Sequence, residues 1–124
     1  MLVEGNTFRL HRTGVNTNTL AAALTIARMS DVTVVGNTFD TCADGAISIE
    51  PDETVTAADV RNITIQGNVF TGSLWDDITI GAGLGYAPAL EHVTIVGNTM
   101  LRSASFDYPS LRILLVKKIL FANN

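Results

Sequence analysis

The chain has 124 residues, 47% of them hydrophobic and 16% charged, which suits one folded domain and excludes a disordered tail or polar linker. Its net charge is −4 and its only lysines are Lys117 and Lys118, so the basic stripe of a nucleic-acid binder is missing. No apolar run approaches the roughly 20 residues of a membrane span, residues 1–12 do not read as a signal peptide, and Cys42, the single cysteine, can form neither an internal disulfide nor a thiolate zinc cluster.

Thr, Val and Ile supply 36 residues, with ten Gly and three Pro, a composition of strands joined by turns. In chain order the first element is LVEGNTF at 2–8. An Ala-rich stretch at 20–28 follows. It is read as a strand, Leu24-Thr25-Ile26-Ala27, although Ala and Leu would also suit a short helix. VTVVGNTF (32–39) is followed by AISI (46–49), and ITIQGNVF (63–70) by DITI (77–80). VTIVGNTM (93–100) is followed by RILL (112–115), and a decayed copy, VKKILFANN (116–124), aligns with VRNITIQGN at 60–68.

The Gly-Asn pairs at 5–6, 36–37, 67–68 and 97–98 are 31, 31 and 30 residues apart. A period of that size, with period-two alternation inside each unit, predicts a solenoid of stacked strands. Two strands and their turns would make one rung, stacked on the next at about 4.8 Å. Asn6, Asn37, Asn68 and Asn98 would then form a ladder, with Phe8, Phe39, Phe70 and Met100 stacked inside. The Gly before each Asn is expected where the turn needs φ > 0. The period and the missing L-x-x-L-x-L pattern argue against leucine-rich repeats.

The repeated V-x-I-x-G-N-x-F pattern resembles the right-handed parallel β-helix repeat of the pectin lyase-like proteins. The resemblance covers nearly the whole chain and implies an all-β solenoid of about four rungs of about 31 residues. Val3 occupies the position of Val34 and Ile65, and residue 124 falls on a fifth Gly-Asn corner. Residues 1–124 are therefore expected to be a partial domain, an interior slice of a longer solenoid, with uncapped ends open to self-association. The resemblance further implies a secreted or cell-surface parent that binds or acts on polysaccharide, as a glycoside hydrolase, lyase or epimerase. The slice alone would be inactive. A non-catalytic solenoid, such as an adhesin, a phage tail-fibre or a surface spacer, is the alternative from a different class.

Chemistry would sit on the outward side chains of the second strand of each rung. Rung two shows Ala46, Ser48 and Glu50, rung three Asp77, Thr79 and Gly81, and rung four Arg112 and Leu114. Candidate catalytic carboxylates are Asp44, Glu50, Asp76 and Asp77. Glu50 and Asp77 would lie about 14 Å apart, beyond the roughly 5–9.5 Å of a glycosidase pair. Solvated turn acids are the plain reading of all four. Asp77 and Arg112, stacked by this alignment, read as a surface ion pair or as a charged sugar-binding spot. Trp75 and Tyr86 could offer aromatic faces to a sugar ring, and Trp75 could equally pack into the core. Asp76 and Asp77 offer a candidate calcium position, but without an acid cluster of three the ligand count is too low to support it, and no cofactor is expected. His11 and His92 are three repeats apart, so a shared metal is not expected. His92 shares a turn position with Asp31, Asn62 and Lys118, which reads as variable and solvent-facing. Gly81–Gly85 matches neither a P-loop nor a dinucleotide fingerprint.

Overall fold

The computed structural model describes residues 1–9, 22–27, 29–42, 45–49, 60–73, 76–81, 90–101, 109–114 and 116–124. Rung one contains β1 (Leu2–Glu4), β2 (Thr7–Arg9) and β3 (Leu24–Ile26). Rung two contains β4 (Val32–Val35), β5 (Thr38–Asp40) and β6 (Ile47–Ile49). Rung three contains β7 (Arg61–Gln66), β8 (Val69–Thr71) and β9 (Ile78–Ile80). Rung four contains β10 (Glu91–Val96), β11 (Thr99–Leu101) and β12 (Leu111–Ile113), and β13 (Ile119–Ala122) follows.

Every pairing joins equivalent strands of successive rungs in parallel. Sheet A has the order β1-β4-β7-β10-β13, sheet B is β2, β5, β8 and β11, and sheet C is β3, β6, β9 and β12. Three parallel sheets wound in this order make a parallel β-helix, right-handed as parallel crossovers are. Among the described residues there is no helix, and so none long and apolar enough to cross a membrane.

Each rung holds three strands where two were expected. The Gly-Asn corner is responsible. Gly5, Gly36, Gly67 and Gly97 have φ between 60° and 65°, which turns the chain so sharply that the residue after the Asn starts a new sheet. The stretch around 20–28 is settled as strand at Leu24–Ile26, whose Ile26 pairs with Ile49 and Ile49 in turn with Ile80. The decayed copy also keeps register, with Val93 beside Ile119 and Ile95 beside Phe121.

The alternation expected from the sequence places the core. Val32, Val34, Ile63, Ile65, Val93 and Ile95 from sheet A are buried against Ile47, Ile49, Ile78 and Ile80 from sheet C. Each fully buried aliphatic side chain contributes about 1.5–3 kcal/mol of transfer free energy. Phe8, Phe39 and Phe70 stack along the axis with centroids 4.7 and 5.0 Å apart and rings nearly parallel. Leu101, Ile113, Leu114, Leu120 and Phe121 are exposed along the last strands.

The Gly-Asn corner makes one prediction. A Cβ at Gly36 would meet nothing within 4 Å, so the cost of Gly36→Ala is the left-handed backbone alone, about 1–2 kcal/mol. Gly36→Asn should cost less, because Asn123 holds φ 53° at the equivalent place in the decayed copy. Thermal unfolding of the two variants checks the order.

Candidate functional site

The strands of sheet C bury Ile26, Ile47, Ile49, Ile78 and Ile80 inward, so their middle residues point outward. Register lines up Thr25, Ser48, Thr79 and Arg112 as one outward row, a rung apart at each step. Arg112 therefore stacks on Thr79 and not on Asp77, which corrects the sequence alignment by two positions. The reason is that Leu111, not Ile113, takes the place over Ile78. The connection from Met100 to Leu111 is longer than the one from Phe70 to Ile78 but shorter than the alignment required, and no hydrophobic repeat fixes where it rejoins the stack.

Arg112 instead reaches Asp76. Its Nε lies 2.8 Å from Asp76 Oδ2, and its Nη2 donates to Oδ1 at 3.4 Å. Thr79 Oγ1 donates to the same Oδ2 at 3.1 Å. The Asp76 side chain is only 6% exposed and that of Arg112 40%, so the pair is a buried carboxylate under a half-open guanidinium. Such a pair is more consequential than an exposed one, since removing the arginine strands an enclosed charge. Ser48, beside Thr79, is 7% exposed and its Oγ has no hydrogen-bond partner.

Asp77 is enclosed at 1% exposure, and its main-chain carbonyl accepts a hydrogen bond from the Ile47 amide at 2.9 Å. Its carboxylate sits close enough to Cys42 to matter there. The Cys42 thiol is pushed up to about 11, first by burial and then by the charges of Asp77 and Asp40. A thiol so placed stays protonated and inert at neutral pH. Native chain should therefore resist alkylation at pH 8, while chain unfolded in denaturant should react fully. A fast native reaction would show that Cys42 is open to solvent.

The remaining predicted site residues, Asp44, Glu50, Trp75 and Tyr86, lie outside the described residues, as does His11. The structure thus brings together Asp76 and Arg112 with Thr79 and Ser48, both expected on the outward side of these strands. Among the described residues no group of three or more His, Cys, Asp or Glu side chains is placed to hold a metal ion.

Two further polar clusters were missed from the sequence. On sheet B, Arg9 and Asp40 stand in register and pair, with Arg9 Nε donating to Asp40 Oδ2 at 2.7 Å. Thr41 and Thr71 hydroxyls donate to Asp40 Oδ1 at 2.9 and 3.2 Å. These bonds, the one from Thr41 first and then that from Arg9, hold the Asp40 carboxyl below the usual range. Arg9 and Asp40 follow Phe8 and Phe39 directly and share their 31-residue spacing, a signal that was present.

The second cluster is the corner that opens sheet A. Asp31, Asn62 and His92 all have left-handed backbone, φ 55° to 57°. Asn62 Nδ2 donates to Asp31 Oδ1 at 2.8 Å, and Lys118 Nζ lies 3.4 Å from His92 Nε2. At three of the four places what reads as a variable turn position is a constrained one, filled by Asp, Asn and His, the non-glycine residues that best tolerate φ > 0, while Lys118 in the decayed copy does not adopt it.

Compared with family profiles, curated proteins and solved structures, the chain matches none. The functional reading therefore rests on the site itself.

Proposed function

We propose that the chain belongs to a pectin lyase-like, carbohydrate-active β-helix protein of the cell exterior, and that the outward face of sheet C is where it meets polysaccharide. One observation carries this reading. The enclosed Asp76 carboxylate, bonded to Thr79 and to a half-open Arg112, sits on a row of hydroxyl side chains running along the solenoid axis. Acceptor, donor and hydroxyl groups in one line suit the alternating hydroxyls of a glycan laid along the stack. The V-x-I-x-G-N-x-F corners on three parallel sheets support the family part of the proposal. With both its oxygens engaged, Asp76 is suited to positioning a sugar hydroxyl rather than to donating a proton.

A panel of soluble polysaccharides, tested by affinity electrophoresis, checks the reading. At least one should retard the chain, and Arg112→Gln should weaken that retardation at unchanged circular dichroism. If no glycan retards a folded chain, the proposal fails.

The second reading is a structural solenoid without ligand. One row of small residues on each of the other two sheets favours it. Thr33, Thr64 and Thr94 stand in one row on sheet A, and Thr7, Thr38 and Thr99 stand with Val69 in one row on sheet B, repeating rows that suit a spacer.

A further inference from the structure

We infer that the ligand of the sheet C row is an uncharged saccharide recognised through neighbouring hydroxyls, and not an acidic polymer such as a polyuronate. This deepens the reading above and rests on it.

The charge on sheet C decides the matter. Among the described strands of that sheet, Arg112 is the one cation, and Asp76 already neutralises it through two contacts at 2.8 and 3.4 Å. Recognition of a carboxylate needs an uncompensated guanidinium or ammonium, offered in a fork the acid can bridge. Here the fork is occupied by the protein's own acid. Among the other described cations, Arg9 pairs with Asp40 on sheet B, Lys117 pairs with Glu91 at 2.9 Å beside sheet A, Arg61 stands on sheet A, and Lys118 lies against His92 at the corner that opens sheet A, so none is on sheet C. The chain as a whole is also negative, at −4, which raises the potential against an incoming polyanion.

For a neutral polyol the same arrangement is favourable. A guanidinium has five N–H groups, and the Asp76 contacts leave three of them for sugar oxygens. The carboxylate of Asp76 fixes the plane of the guanidinium, so little side-chain freedom remains to be lost on binding. Ser48 adds an independent observation. Its hydroxyl lies on the same row, is more than nine-tenths buried, and bonds to nothing. A buried hydroxyl without a partner is a standing cost in the free protein, one that a ligand group can relieve.

The test compares neutral with acidic oligosaccharides on the 124-residue chain by calorimetric titration. The probes are hexamers of β-linked glucose, xylose and mannose on one side and a galacturonate hexamer on the other. The wild-type chain should bind a neutral hexamer and prefer it to the galacturonate. Ser48→Ala removes a hydroxyl that holds no other protein group, so it should leave the melting temperature unchanged or raised while weakening neutral binding about tenfold. Arg112→Gln, folded by circular dichroism, should weaken it at least as much.

A preference for the galacturonate hexamer would overturn this inference while leaving the carbohydrate reading in place. Neutral binding unchanged in both variants would overturn the assignment to the sheet C row. Binding of none of the four hexamers by a folded chain would overturn both this inference and the reading beneath it.

Discussion

Asn68→Ala is expected to lower the stability of the chain by about 3–5 kcal/mol, close to the largest effect a single polar side chain can have. Asn68 is fully buried in the middle of the ladder. Its Oδ1 accepts from the Asn37 main-chain N–H at 2.9 Å and from Asn37 Nδ2 at 3.0 Å. Its Nδ2 donates to the Val34 carbonyl and to Asn98 Oδ1, both at 3.0 Å. Alanine satisfies none of these. The Asn37 amide is then left buried without its acceptor, and the Val34 carbonyl loses its side-chain donor, at about 1–3 kcal/mol for each stranded group.

Position along the ladder should grade the cost. Asn6 is exposed, and its Nδ2 bonds to Glu4 O and Asn37 Oδ1 where solvent competes. Asn6→Ala is therefore expected to cost no more than about 1 kcal/mol. Equilibrium denaturation in urea measures both variants. Equal losses at the two positions would mean that the amides act through local turn conformation and not as a bonded ladder.

Phe39→Ala should be comparably damaging, at about 3–5 kcal/mol, for a different reason. Phe39 is fully buried and is the middle ring of the stack, touching Phe8 on one side and Phe70 on the other. Truncation removes its transfer free energy, opens a cavity that parallel strands on both sides cannot collapse, and breaks both ring contacts at once. Phe39→Leu keeps most of the volume and should cost less than half as much. The melting temperatures of the two variants, measured by circular dichroism, should separate in that order. If Phe39→Leu proves as damaging as Phe39→Ala, ring stacking rather than volume dominates the site.

Both effects were visible in outline from the residues alone, because they depend on the repeat. A period of about 31 residues, a Gly-Asn pair in each of four units and a Phe, or once a Met, two positions beyond the Asn are enough to stack like on like. Period-two alternation then assigns Val32, Val34, Ile63 and Ile65 to the interior, and each is buried. Even the decayed copy carried enough pattern to place Asn124, whose Oδ1 accepts from the Asn98 main-chain N–H at 3.0 Å.

Other features lay beyond the pattern. The left-handed φ at Gly36 and its equivalents was expected from the Gly-Asn pairs, but that the corner is sharp enough to separate sheet A from sheet B does not follow from hydrophobic order. The left-handed corner at Asp31, Asn62 and His92 mixes an acid, an amide and an imidazole, so nothing repeats in the letters although the backbone repeats in space.

The partner of Arg112 shows the division most clearly. Its identity as a charged residue on the outward face of a strand follows from alternation, and so does its membership of the last complete rung. Which acid it meets does not. That depends on how the chain between sheets B and C returns to the stack, and this connection differs in length from rung to rung, free of the hydrophobic repeat that sets the strands. The sequence by itself determined the stack, its period, its core and its Asn ladder, because each is enforced once per rung by identical side chains in contact. Only the tertiary structure decided that Arg112 sits over Thr79 and closes on Asp76, because that contact is made once, between segments that no repeat aligns.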